Sequence, residues 1–232
     1  MANRKKSKKY YFSVEGQTEY WYLLWLKDLI NSTEEAAFKV VIDCKIEKDP
    51  LKRAKGLSTT SKTEIYHFSD YESEEDRHVK LFKDTMDQMK KAMGLGKQIV
   101  YKFGYSNFTF DLWIVLHKTD CFAHLTHRKD CLSYINRAYS KTFESMDEYK
   151  YEDNFKRCLN QLTLSDVIKA VERSKNIMKN NVASGYFLHK YKGFSYYQEN
   201  PSLAVWEAIE KILKDYKSVQ YQILAHAADV GW

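Results

Sequence analysis

Strand-like and helix-like segments alternate through the first half of this chain, and that order restricts the fold more than any other feature. Lys9–Val14 (Lys-Tyr-Tyr-Phe-Ser-Val) is aromatic and β-branched, the composition of a short buried strand. A polar break at Glu15-Gly16-Gln17-Thr18-Glu19 follows, and the apolar run from Tyr20 carries helical character to about Ile30, where Asn31 and Ser32 stop it. Phe38–Ile46 alternates as a second strand, residues 50–61 form a basic, partly helical crossover, and Thr63–Ser69 is a third strand ending at Asp70-Tyr71-Glu72. Val79, Phe82, Met86, Met89 and Met93 then recur at spacings of 3, 4, 3 and 4, one face of a helix that Gly94 and Gly96 end. Gln98–Phe103 supplies a fourth strand. Parallel strands need crossovers of this length, so the pattern predicts an α/β fold, a mostly parallel, Rossmann-like sheet flanked by helices.

Beyond this core the pattern changes. Residues 117–199 read as a polar, helical insertion or extension, with a poorly apolar stretch at 141–157 that suits a solvated loop or helix. Thr163-Leu164-Ser165-Asp166 resembles a capping box with Asp in place of Glu, opening an amphipathic helix. After Pro201 a helix that buries Val205, Ala208, Ile209, Ile212 and Leu213 returns to the core. The expected organisation is a basic arm at 1–8, an α/β core at 9–116, the extension at 117–199 and a C-terminal helical segment at 200–232.

Composition narrows the function classes. With 232 residues the chain can bury one large core, and 8 Gly and 2 Pro argue against a many-turned all-β architecture. Its four cysteines, Cys44, Cys121, Cys131 and Cys158, lack the spacing of a disulfide scaffold. The apolar run Tyr20–Leu26 is far too short to cross a bilayer, and no secretory leader follows the basic start, so a cytoplasmic protein is expected. Of the net charge of +6, Arg4, Lys5, Lys6, Lys8 and Lys9 supply five units, leaving a nearly neutral body. A basic arm of this kind can touch phosphates, and it can equally serve solubility.

The candidate chemistry is acidic. Glu15 ends the first strand, while Asp70 and Glu72 end the third, two residues apart and so on one side. Carboxyl ends of parallel strands gather along one edge, where ligands bind. Carboxylates packed together call for a cation, and a hard ion such as Mg²⁺ is the usual one. The bland alternative is that Asp70 to Asp76 is helix-initiating acid in solvent.

The same residues carry a family resemblance. Glu15 after a first strand and Asp-x-Glu after the third resemble the Toprim pattern of primases, topoisomerases and OLD-type nucleases. Val14-Glu15-Gly16-Gln17-Thr18-Glu19, the Ser106–His117 segment (Ser-Asn-Phe-Thr-Phe-Asp-Leu-Trp-Ile-Val-Leu-His) and Asn200-Pro201-Ser202 resemble landmarks of the RloB-like family of bacterial phage-defence proteins. Glu72 stands where that family more often has Asp, Asp111 where it has Glu, and Phe108 where it has Pro. The resemblance implies a Toprim-like core and Mg²⁺- or Mn²⁺-dependent phosphodiester cleavage of RNA, tRNA included, or of DNA, in abortive infection. It also implies an ABC- or AAA-type ATPase partner. In that reading Glu15 is the general base or orients water, Glu15, Asp70 and Glu72 hold the metal, and Glu19 stands behind them. Asp111 and His117 flank the Trp113 segment and either face the site or cap it.

Two further signals have two readings each. Cys121, His124, His127 and Cys131 form a C-x2-H-x2-H-x3-C string, a zinc pattern if the segment bends and a polar helix if it does not. Tyr186–Tyr197 interleaves aromatics with Lys190 and Lys192, either a single-stranded nucleic-acid surface or a loop packed on the core. No Gly-rich phosphate loop and no G-x-S-x-G elbow occurs, which argues against ATP hydrolysis by this chain alone and against a serine hydrolase. The alternative to a nuclease is a non-catalytic Toprim scaffold that binds nucleic acid or an ATPase.

Overall fold

The structure, a computed structural model, describes residues 7–33, 38–122 and 128–216. Its core follows the expected alternation: β1 (Ser7–Val14), α1 (Gln17–Asn31), β2 (Lys39–Ile46), α2 (Pro50–Lys55), β3 (Thr63–Tyr71), α3 (Asp76–Met93), β4 (Ile99–Asn107) and α4 (Asp111–Leu116). The extension supplies a helical turn at Arg128–Asp130, then α5 (Cys131–Tyr139), α6 (Met146–Tyr149), α7 (Glu152–Leu159), α8 (Leu164–Ala183) and a hairpin of β5 (His189–Tyr191) and β6 (Phe194–Tyr196). α9 (Val205–Tyr216) closes the described chain.

The four long strands form one parallel sheet in the order β2-β1-β3-β4. Chain direction across the sheet reverses between β1 and β3, the switch point at which open α/β sheets take ligands. Side-chain alternation separates two apolar layers. Tyr10, Phe12 and Val14 of β1 pack with Phe68 of β3 against α1, α4, α8 and α9. Ile65, Tyr101 and Tyr105 pack on the opposite face against α2, α3 and the hairpin. The helix after Pro201 buries the five residues its period marks, and Thr163 and Asp166 make both bonds of the capping box.

Several expectations need correction. α1 begins at Gln17, three residues early, because Gly16 already sits as its N-cap. β4 runs four residues past Phe103. Its Gly104 admits the Phe68 ring: a Cβ there would stand 2.6 Å from two ring carbons. The far end of β4 is held by residues 197–204. The Asn107 N–H donates to the Ser202 carbonyl, the Ala204 N–H to that of Tyr105, and Asn107 Nδ2 to the carbonyls of Gln198 (2.7 Å) and Glu199 (2.9 Å). The sequence landmarks Ser106-Asn107 and Asn200-Pro201-Ser202 are therefore two halves of one buried contact.

The stretch at 141–157 is not merely solvated. Tyr149 and Phe155 are fully buried, and Phe155 packs 5.9 Å, centroid to centroid, from Trp21 of α1. A few apolar residues, each wholly used, dock two short helices that average hydrophobicity does not reveal. The aromatic-basic stretch is a two-residue hairpin in which Lys192 (φ 52°) and Gly193 (φ 92°) both take the left-handed backbone that matches strand twist. Among the described residues no helix is long and apolar enough to cross a membrane.

Gly104→Ala tests the β3–β4 fit. Phe68 is buried and cannot retreat, so the variant is expected to lose about 1–3 kcal/mol of stability, read as a lower urea midpoint at unchanged slope. An unchanged midpoint would contradict the packing described.

Candidate functional site

The parallel register of β1 and β3 pairs Val14 with Phe68. One step further along, Glu15 stands beside Ser69, whose Oγ donates to Glu15 Oε1 at 2.8 Å. The backbone N–H of Asp70 also reaches the Glu15 carboxylate. One step back lies a second pair, Ser13 Oγ and His67 Nδ1 at 2.7 Å. Burial drives the His67 pKa down to about 3, so this ring is neutral beneath the acids.

Glu15, Ser69, Asp70 and Glu72 line one open cleft of about 320 Å³ between the strand ends and α3, with Lys48, Asp49 and His78 on its walls. Burial lifts the Glu15 carboxyl above the usual carboxylate range, and Glu72 adds to this. The Ser69 hydroxyl, the Lys48 ammonium and the Asp70 N–H oppose it. Glu72 sits at the exposed rim, with its Oε2 3.5 Å from His78 Nε2.

Asp70 belongs to a second, deeper group. It keeps a window to solvent, yet so much protein surrounds its carboxyl that burial raises its pKa well above the usual value. Glu19, Glu15 and Asp111 raise it further, and Lys150 works the other way. Glu19 is 5% exposed. Gly16 lets its side chain turn back: a Cβ at Gly16 would stand 3.1 Å from Glu19 Oε2. Thr18 Oγ1 donates to that oxygen at 2.9 Å. Burial is the main cause of the raised Glu19 pKa, with Glu15 and Asp111 adding to it.

Asp111, fully buried at the start of α4, accepts from Thr109 Oγ1 at 2.7 Å and pairs with Lys150 Nζ at 2.9 Å. Burial pulls the Lys150 pKa down, but Asp111, with Asp70 and Glu19 behind it, outweighs burial and holds it above the ordinary lysine value. Lys150 is thus an ammonium at any working pH.

The structure thereby gathers Glu15, Glu19, Asp70 and Asp111 at the carboxyl end of the sheet, with Glu72 at the rim. His117 is not among them. Its ring is fully buried between Tyr22 and Trp113. Nδ1–H donates to the Trp113 carbonyl at 2.8 Å, which leaves Nε2 to accept from the Tyr22 hydroxyl at 3.1 Å. Lys8 and Lys9 start β1 at the opposite end of the sheet, roughly 20 Å from Glu15 at a strand's rise per residue. They pair with Asp215 (2.6 Å) and Asp43 (2.8 Å). Lys190 and Lys192 lie on the hairpin, Lys192 against Asp87 at 3.3 Å. Lys5, Lys6, His124 and His127 fall outside the described residues, while Cys121 and Cys131 are buried. Among the described residues no three His, Cys, Asp or Glu side chains are drawn close enough to enclose a metal ion ready-made.

Ser69, Lys48 and Lys150 escaped sequence reasoning. Ser69 had a legible signal, since the β1–β3 pairing puts it opposite Glu15. Lys150 had none: it comes from the extension and looks like any surface lysine.

A profile of a known protein family, described as RloB-like protein, matches residues 10–212. The chain belongs to the RloB-like family. Searches of curated proteins and of solved structures each found no significant match. The RloB-like match spans both the α/β core and the extension that delivers Lys150, so the acidic group and its ammonium lie within one family unit.

Two pH predictions follow from the buried groups. Asp70 is held protonated more readily in the folded state, so its charge destabilises the fold above the ordinary carboxylate pKa, and the penalty vanishes as pH falls below it. Asp70→Asn is therefore expected to raise the urea midpoint of the metal-free protein at pH 7, with the gain shrinking toward pH 4; a lower midpoint at pH 7 would contradict this. For His117 the sign is opposite. Its pKa is driven down to about 4 by burial, from 6.5. Its neutrality stabilises the fold above pH 6.5, by roughly 3 kcal/mol relative to acid, and this is lost as pH falls to 4. Unfolding curves of His117→Asn should change less between pH 7 and 4 than those of the wild type.

Proposed function

We propose that this RloB-like protein is a divalent-cation-dependent nuclease that hydrolyses a phosphodiester bond in RNA, tRNA included, or in DNA. The observation that carries the reading is the meeting of Glu15 and Asp70 at the β1–β3 switch point, in one cleft with Glu72 and Lys48. Burial raises the pKa of both carboxyl groups, and like charge adds to it, from Glu72 at Glu15 and from Glu19 and Glu15 at Asp70, an environment typical of functional sites and one that a cation relieves.

The donors are hard oxygens, which suits Mg²⁺ or Mn²⁺. Such ions are commonly held by one or two carboxylates, with water and substrate phosphate filling the remaining positions, so a closed protein cage is not required. Glu15 and Asp70 would hold the ion, with Glu72 completing the set from the rim. Once bound, the ion supplies a Lewis acid for a phosphoryl oxygen and lowers the pKa of water. Glu15, anchored by Ser69 and already above the usual carboxylate range, is suited to take the proton of the attacking water. Lys48 would face the phosphate backbone. Resemblance to phage-defence proteins supports both an effector role in abortive infection and an ATPase of the ABC or AAA type as partner.

A non-catalytic scaffold for nucleic acid or for that ATPase is the competing reading. It draws support from the absence of a preassembled three-residue metal group among the described residues.

The test is cleavage of labelled RNA and DNA in Mn²⁺ or Mg²⁺, alongside Mn²⁺ titration of the same protein. Glu15→Gln and Asp70→Asn are expected to lower cleavage by more than about 100-fold, the upper range for losing an outer-shell partner of a metal, and to weaken Mn²⁺ binding. Nucleic-acid binding with no cleavage, unaffected by either substitution, would favour the scaffold.

A further inference from the structure

From Arg173 to Gln198 the chain contains no Asp or Glu, its longest acid-free stretch, while Arg173, Lys175, Lys179, Lys190 and Lys192 supply five cations. These residues form the second part of α8 and the hairpin of β5 and β6. α8 stops at Gly185 (φ 71°) in a Schellman turn, the Gly185 N–H donating to the Val182 carbonyl and the Tyr186 N–H to that of Asn181. In such a turn the residue after the glycine commonly packs on an apolar side chain of the last helical turn. Here the positions it would meet are Asn180 and Asn181, and the Asn181 amide is committed to the Pro201 carbonyl at 3.0 Å. Tyr186 therefore stays 40% exposed, and Phe187 and Leu188 follow at 68% and 40%. The Phe187 ring is nonetheless supported. It meets His189 edge to face at 4.8 Å, His189 stacks on Tyr196 at 5.4 Å, and Tyr196 meets Phe82, a wall of the acidic cleft, at 5.0 Å. Alternation along β5 turns His189 and Tyr191 toward the core and Lys190 to solvent. Lys175 pairs with Glu210 and Lys192 with Asp87, whereas Lys179 and Lys190 are exposed and hold no ion pair among the described residues.

We propose that Tyr186, Phe187 and Lys190 form a platform for an unpaired nucleic-acid strand, with a base stacked on Phe187 and a phosphate at Lys190. Three features select that occupant. An exposed aromatic ring stacks on the face of any base, and a single strand presents such faces while a duplex hides them. No carboxylate of the stretch repels a polyanion, and two of its ammonium groups are uncommitted. The His189 and Tyr196 rings hold Phe187 in place beforehand, so little side-chain freedom is lost when a base arrives. Three ring-to-ring steps separate Phe187 from the cleft wall, and one strand can therefore lie on both. The platform goes beyond the nuclease reading and does not need it, since it binds whether or not the cleft cuts.

The experiment is fluorescence anisotropy with labelled oligouridylate, oligothymidylate and duplex RNA in EDTA, for full-length wild type, Phe187→Ala, Phe187→Trp and Lys190→Ala. The wild type should bind a single strand more tightly than the duplex, and the ratio between the two single strands tells RNA from DNA. Phe187→Ala should weaken single-strand binding by about 5- to 100-fold, the loss of one stacked base, while Phe187→Trp should keep the wild-type affinity. Lys190→Ala should make the dependence of log Kd on log salt shallower by about 0.7, one phosphate contact on a single strand. No single-strand binding by the wild type overturns the proposal, as does a duplex bound as tightly. Unchanged affinity in Phe187→Ala also overturns it and returns the exposed patch to a protein partner. An unchanged salt slope in Lys190→Ala, a variant of an exposed side chain, overturns it independently of how Phe187→Ala folds. Chelator keeps cleavage out of the measurement, so the two readings fail separately. Phe187-dependent binding without cleavage in Mn²⁺ removes the nuclease reading alone, and cleavage with Phe187-independent binding removes the platform alone.

Discussion

The acidic end of this protein depends on the parallel register of β1 against β3. That register sets Glu15 beside Ser69 and one residue from Asp70, and a slip of one residue would turn every side chain of the strand to the other face. Apolar packing fixes it from below. Phe12 and Phe68 lie edge to face at 5.4 Å, and Phe68 presses so closely on β4 that only Gly104 fits opposite. The chemistry at the strand ends is therefore positioned by close packing within the sheet.

Alternation along the strands divides the carboxylates. Glu15 turns toward α3 and the open cleft, whereas Asp70 faces the group made by α1, α4 and α6. Because the two residues are offset by one position on adjacent strands, they straddle the sheet edge and link an accessible compartment to a buried one. Like charges in a desolvated group work against folding, and proteins retain such strain where activity needs it. Lys150 offsets part of that strain on the buried side. On the open side Lys48 and the Ser69 hydroxyl do so only partly, and a bound cation would complete it.

The amino-acid sequence disclosed the strand and helix order because the periods are clean, and it disclosed Glu15 and Asp70 because both follow strand ends directly. It could not disclose Lys150, whose place among the carboxylates depends on how α6 and α7 dock through Tyr149 and Phe155, two aromatics in an otherwise polar stretch. His117 and Asp111 bound the same short helix, and their fates diverge for a geometric reason. Six residues along a helix is about 600° of rotation, so the two ends face different surroundings: Asp111 opens on the acids, and His117 closes into the Tyr22–Trp113 core. The Lys192-Gly193 hairpin was faintly legible, but Lys is a weaker turn signal than Asn or Asp before Gly.

The central claim is that Glu15 and Asp70 together hold a divalent cation at the β1–β3 switch point. Crystals soaked in Mn²⁺ and measured at the manganese absorption edge test it most directly. The account predicts an anomalous peak within coordination distance of a Glu15 and an Asp70 oxygen, inside the cleft lined by Glu72 and Lys48. A cleft without such a peak at saturating Mn²⁺, or a peak bound only elsewhere on the chain, would contradict it.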